Sequence, residues 1–183
     1  MALLPGGPTL ADFTDPIGML GDCHRRVERF LGAQVRVAAC PPDQPLDALH
    51  ADAASASIRY FETNAPWHTA DEERSLFPRL RASSHARAAE AARIADALEG
   101  EHADMAPLHG LVHAHLLRWL ADGRLGGEPH RALVGALDNM AATYAAHIAQ
   151  EDGVLFPLAA VVLTAADLSM MGQEMRARRH QDS

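Results

Sequence analysis

Lysine is missing altogether: all 16 basic residues of this 183-residue chain are Arg, set against 24 acidic residues for a formal net charge of −8. The arginines are scattered rather than clustered, which excludes the basic footprint that grips nucleic acid or an anionic membrane surface. Cysteine is scarce as well. Cys23 and Cys40 are too far apart for a CxxC pair and too few for a disulfide framework, so a reducing cytoplasm is the expected home. No apolar run approaches the roughly 20 residues that cross a bilayer. The greasiest stretch, VLFPLAAVVL at 154–163, is short and contains a proline. The opening MALLPGGPTLADFTDP has no basic region ahead of its apolar residues and is broken by Pro and Gly, unlike a signal peptide. Aromatics are few, with two Trp and two Tyr, whereas His numbers 11, more than packing alone explains.

The length suits one domain with a core of its own. Apolar residues recur at helical spacing almost everywhere and no stretch alternates with period two, so the expectation is all-α. A first helix is predicted from Thr14-Asp15-Pro16 to about Ala39, stopped by CPPDQP at 40–45. A second runs from near Leu46 toward Pro78, with a kink or restart at Pro66. A third spans about Ala86 to Ala121 with bends expected at Gly100 and Pro107. After the loop DGRLGGEP at 122–129, a fourth helix reaches about Asp152, its end marked by Gly153 and Pro157. Thr164 caps a short fifth helix expected to pack on the outside. The expected architecture is an up-down-up-down four-helix bundle with a C-terminal fifth helix: one domain over 1–183, core about 15–160, last helix about 165–179.

One phrase is written twice. HTADEERSLFP at 68–78 and HIAQEDGVLFP at 147–157 share His at the first position, Glu at the fifth, an acid at the sixth and Leu-Phe-Pro at the end. On a helix, residues i and i+4 lie one turn apart on one face, so His68 with Glu72 and His147 with Glu151 each present an imidazole beside a carboxylate. The Leu-Phe-Pro ends are expected to close the core and terminate the helix. A bundle interior excludes carboxylates unless they are paired or bind metal, so two such pairs at matching places point to a metal. If a helix pair is duplicated, the first and third helices should also share a residue, and His24 and His102 recur at nearly the same offset. Four His and two Glu result: His24, His68, Glu72, His102, His147 and Glu151.

Depth along the bundle tests the grouping. From the middle of the 122–129 loop, His102 lies about 24 residues back and His147 to Glu151 about 21–25 forward, a mismatch of a few ångströms at about 1.5 Å per residue. His68 and Glu72 match His102 more loosely, and His24 matches least. His109 and His113, also spaced i,i+4, lie further along helix three; His109 sits about 10 Å past His102 along the axis, too far for one compact site but placed to line an access channel or face solvent. Imidazole with carboxylate suits iron, manganese or zinc rather than calcium or magnesium. Six ligands over two ions leave positions open for a small oxidant.

YFETNAPWHTADEERSLFPRL at 60–80, LEGEHADM at 98–105, HIAQEDGVLFPL at 147–158 and the closing LTAADLSMMGQEMRARR resemble the hemerythrin HHE cation-binding family, from about Asp15 to Arg179. The resemblance implies a non-haem di-iron centre, oxo- or hydroxo-bridged, with His24, His68, His102 and His147 as terminal ligands and Glu72 and Glu151 as bridges. It also implies a small diatomic or peroxide ligand: members bind dioxygen reversibly, sense oxygen or iron, answer nitric oxide or peroxide, or repair iron–sulfur clusters. Oxygen carriers of the family have a second His one turn after the helix-three His, where this chain has Ala106. Tyr144, three residues before His147, could supply a phenolate, or a hydrogen bond to a ligand, in its place; water is the other candidate. The expected function is therefore redox chemistry on dioxygen, peroxide or nitric oxide, with a non-catalytic sensor or carrier as the alternative.

Glu73, Glu101 and Asp152 read as solvated helix-face charges, and Cys23 as a buried small hydrophobe. His50, His85, His115, His130 and His180 read as solvated.

Overall fold

A computed structural model describes residues 10–181, and every regular element among them is helical. The helices are α1 (Pro16–Ala38), α2 (Ala48–Thr63), α3 (Ala65–Asp71), α4 (Phe77–Ala82), α5 (Ala88–Asp122), α6 (Gly127–Gln150), α7 (Phe156–Val162) and α8 (Ala165–Gln181). Two π-helical turns, Glu72–Leu76 and Glu151–Leu155, join α3 to α4 and α6 to α7.

Local chemistry sets the boundaries. Asp15 caps α1 by accepting the Gly18 N–H at 3.0 Å, with Pro16 in the first turn. The buried stripe Leu20, His24, Val27, Leu31, Gln34 and Ala38 steps by three and four, and so carries His24 inward with the apolar residues. Asp47 caps α2 through the His50 N–H. Pro66 opens α3 directly after α2 rather than bending one long rod. α5 runs unbroken through Gly100 and Pro107, where bends were expected, and stops where Gly123 takes the left-handed conformation at φ 69°. His130 is not merely solvated: its Nε2 lies 2.9 Å from the Ala38 carbonyl at the end of α1.

The Leu-Phe-Pro ends do not terminate their helices. The Phe77 N–H reaches back five residues to the Glu72 carbonyl, and the Phe156 N–H to that of Glu151. A proline in a regular α-turn lacks a donor and its ring strikes the carbonyl four residues back. The wider turn removes that clash, so helix continues through Pro78 to Ala82 and through Pro157 to Val162.

α1 packs on α2 and α6, and α5 on α4 and α6. Two apolar clusters result. One gathers Leu20, Leu76, Phe77, Leu80, Leu98, Leu155 and Phe156. The other gathers Leu31, Val112, Leu116, Trp119, Leu133, Leu137 and Met140. Along α1 and α5, and along α6 with its continuation through Leu155 and Phe156, the repeated His falls between residues of the first cluster and residues of the second. α8 is more than an outer appendage. Thr164 and Asp167 cap it reciprocally, the axis turns by 119° from the preceding helix, and Met171 and Met175 are fully buried in the first cluster. Gly172 lets α8 approach the backbone of Phe13, whose carbonyl oxygen an added Cβ would strike. No single helix among the described residues is long and apolar enough to cross a membrane.

Candidate metal centre

Six side chains from the two repeats converge between the two apolar clusters. His24, His68, Glu72 and Glu151 bring one donor atom each to within 4.8 Å of one another, and His102, His147 and Glu151 do the same. Glu151 belongs to both groups. Glu72 also reaches across, its Oε2 lying 3.6 Å from His102 Nε2 and its Oε1 3.3 Å from His68 Nε2. His24, which fitted least well by depth, lies between the carboxylates, with Nε2 at 3.0 Å from Glu151 and 3.9 Å from Glu72. Both glutamates are fully buried.

The π-turns begin at Glu72 and Glu151 themselves. Their equivalent placement in the two copies gives the repeated phrase its local meaning. His and Glu occupy one regular turn, and the Leu-Phe-Pro that follows belongs to a widened one.

Three carboxylates read as solvated in the sequence prove to be part of the site. Asp152 lies 2.8 Å from His24 Nδ1, Glu101 2.8 Å from His147 Nδ1, and Glu73 3.0 Å from His102 Nδ1. Each is partly exposed and turns one oxygen onto the ring. A carboxylate opposite a ring nitrogen requires N–H there, so these contacts fix the tautomer and leave each Nε2 lone pair facing the centre. The missed signal was the acid after each Glu of the repeat, Glu73 and Asp152, conserved in charge between the two copies. Glu101, next to His102, carried none.

The resulting arrangement is unsatisfied without a cation. His102 Nε2 and His147 Nε2 face each other at 3.2 Å, and with both Nδ1 atoms carrying protons toward carboxylates the pair is bonded only when one ring holds a second proton, which, against burial, Glu151 and Glu101 favour at His147. His24 Nε2 and all four oxygens of Glu72 and Glu151 are buried without hydrogen-bond geometry to any partner. Buried polar atoms normally find partners, and isolated buried carboxylates are costly. A nest of lone pairs directed at one another is what a metal site looks like before the ion is added.

Electrostatics follow the same pattern. Burial alone would lower the His24 pKa, but Glu151 and Glu72 beside it raise it to about 10. Burial raises Glu72 well above the ordinary carboxylate range, with Glu151 adding to the effect. Glu151 is also buried, yet His147 and His24 hold it below that range. Burial beside His24 lowers His68 to about 3, and its Nδ1 has no hydrogen-bond partner. In the metal-free chain, the proton on His24 balances the Glu151 carboxylate, while Glu72 keeps a proton of its own and His68 stays neutral.

The profile of the hemerythrin HHE cation binding domain matches residues 15–159. The chain belongs to that family. It is also 28% identical over 173 residues to an uncharacterized protein of Haemophilus influenzae, with 92% of each chain covered. The hemerythrin-like chain thus combines a cation-binding family fold with a His/Glu cluster that fits a metal site.

Its remaining features depart from a closed site. Ala106 leaves the wall open beside His102, and a cavity of about 370 Å³ lies there, lined in part by Phe61, Met105, Ala106, His109 and Tyr144. His109 does not merely face solvent. Its Nε2 shares a hydrogen bond of 2.8 Å with the Tyr144 hydroxyl, and burial lowers its pKa to about 4. Burial also raises the phenol of Tyr144.

Proposed function

We propose that the protein is an up-down-up-down four-helix hemerythrin-like bundle that holds two iron ions and reacts with peroxide, dioxygen or nitric oxide. The observation that carries the reading is the pair of Nε2 atoms facing at 3.2 Å, with their Nδ1 protons committed to carboxylates. One ion would take His24, His68, Glu72 and Glu151; the other would take His102, His147 and Glu151, with Glu72 within reach. Iron fits a donor set of four imidazoles and two carboxylates, which manganese or zinc could also occupy. When bound, it supplies one-electron redox chemistry and a coordination position open to a small oxidant.

The chain's own residues prepare that chemistry. Asp152, Glu73 and Glu101 orient three imidazoles and raise their basicity. Glu72 and Glu151 balance the positive charge of the ions without solvent. Tyr144, with its hydroxyl shared with His109, is a neutral phenol suited to hydrogen bonding at the open side rather than to serving as a phenolate. The second group has fewer donors than the first, which supports reaction over reversible carriage.

The test is metal analysis with the ultraviolet-visible spectrum of protein loaded with ferrous iron anaerobically, before and after peroxide. Two irons per chain, with a near-ultraviolet band cycled by peroxide at many equivalents, is the expected result. A reversible spectral change without turnover would instead establish a sensor or carrier. Failure of iron to bind stoichiometrically would overturn the reading.

A further inference from the structure

A small enclosed cavity of about 20 Å³ touches His24, His68, His102 and His147, and Tyr144 forms part of its wall. The 370 Å³ cavity on the Ala106 side shares four wall residues with it: Ala65, Thr69, His102 and Tyr144. The outer space is therefore an antechamber to the site. Its size falls in the range of pockets that hold organic ligands, roughly 300–1,000 Å³, and is far larger than a diatomic molecule needs. Phe61, Pro66, Met105 and Ala106 offer apolar surface, Glu73 and Arg74 add a charged edge, and His102 and Tyr144, the latter bonded to His109, stand where the two cavities share their wall.

We propose that this chamber binds a small organic molecule with an apolar body, such as one aromatic ring, and a hydroxyl or hydroperoxyl head. The proposal rests on the metal reading for its functional meaning but not for its geometry. The body lies against Phe61, Met105 and Ala106; the head points past Tyr144 toward the inner cavity, whose volume admits little more than the head. Tyr144 Oη and His109 Nε2 share a hydrogen bond with each other, and the remaining lone pair of the phenol oxygen accepts from the head. This widens the substrate class from diatomic molecules and hydrogen peroxide to organic peroxides, with the corresponding alcohol as a stable probe.

The probe is 2-phenylpropan-2-ol, followed by saturation-transfer NMR and calorimetry on the full chain, both metal-free and loaded with redox-inert zinc. Binding should be saturable, and weakened at least tenfold by Ala106→Phe on one wall and by Ala70→Phe on the opposite one. Ala106 is exposed, so its replacement leaves the core intact; circular dichroism and zinc content verify folding of both variants. Undiminished binding in both folded variants, or no binding to the native chain in either form, overturns the chamber. Alcohol binding by a chain that takes up no metal would support the chamber while removing the metal reading. Stoichiometric metal with no alcohol binding does the reverse. To separate the two sources of the head group, diferrous protein is offered one equivalent of cumene hydroperoxide or of hydrogen peroxide; its two ferrous ions would supply the two electrons that, with two protons from solvent, cleave the O–O bond to give the alcohol and water, or two waters. Consumption of the organic peroxide, suppressed competitively by the alcohol, supports the peroxide; an unaffected rate shows that the alcohol binds elsewhere and overturns the placement.

Discussion

The two copies of the repeated phrase place His and Glu alike yet are held in different ways. In the first copy, the residue before Glu72 is Asp71, fully buried, which takes Arg178 at 2.8 Å and Arg179 at 2.7 Å from α8. Ser75 and Arg79 bind Glu174 of the same helix. In the second copy the matching positions are Gln150 and Val154, neither of which can form an ion pair, and Val154 is 45% exposed. The metal-facing side of the repeat is thus preserved by the chemistry it must do, while the outward side has diverged with its neighbours. The inner surroundings differ too: Tyr144 and His109 stand where the first unit has Ala65 and Leu31.

The largest expected effect breaks the symmetry of the glutamates. Glu151 belongs to both donor groups, whereas Glu72 completes only one. Glu151→Ala should therefore reduce bound iron to well under one ion per chain, and Glu72→Ala should retain more. Metal analysis after desalting decides it; equal loss would mean that the two carboxylates bridge equivalently. Next comes the clamp. Removing one partner of a buried ion pair costs about 3–5 kcal/mol, so Asp71→Ala should destabilise the metal-free protein by that order. Gln150→Ala, at the half-buried matching site of the second copy, should stay within about 0.5 kcal/mol, as substitutions away from buried ion pairs and core packing do. Urea unfolding of both variants measures the contrast, and similar losses would refute the assignment of α8 as a one-sided clamp.

The residues around the repeat show where sequence reasoning reached and where it stopped. Periodicity, the Asp15-Pro16 cap and Thr164 located α1 and α8 closely, because these signals are local. The i,i+4 pairs were legible because a helix puts them on one face whatever surrounds it. The π-turns were not read, although a proline six residues after each Glu inside a periodic segment was a physical hint that the turn there is wider. Depth counting undervalued His24, since it assumed uniform rise through a linker whose path the sequence does not specify. Glu101 and the Asp71–Arg178–Arg179 cluster depend on contacts between distant segments, which no local pattern announces. Glu101 read as a helix-face charge because its partner, His147 Nδ1, lies 46 residues away in sequence.

A third prediction concerns the acids behind the imidazoles. Removing a carboxylate that orients a ligating His typically weakens metal binding about 10–100-fold. Glu101→Gln, behind His147, and Asp152→Asn, behind His24, should fall in that range in a competition titration against a chelator of known affinity. His68 is the exception, since no side chain bonds its Nδ1. The first copy's own His is then the more loosely oriented of the two, and loss of affinity in neither variant would show that packing, not the carboxylates, sets the rings.

The smallest effect sharpens the difference between Leu31 and His109. Burial lowers His109 from the usual histidine value near 6.5 to about 4 in the folded chain. The unfolded chain therefore takes up the proton first, and the neutral imidazole contributes its full share of stability above about pH 6.5. That share is lost progressively as the pH falls toward 4. His109→Leu copies the residue of the first unit and removes the titrating group. In metal-free protein, the drop in stability between pH 6.5 and 4 should be shallower for the variant than for the native chain. Parallel pH profiles would mean that His109 is already solvated before unfolding, and that the Tyr144–His109 wall opens as the protein breathes.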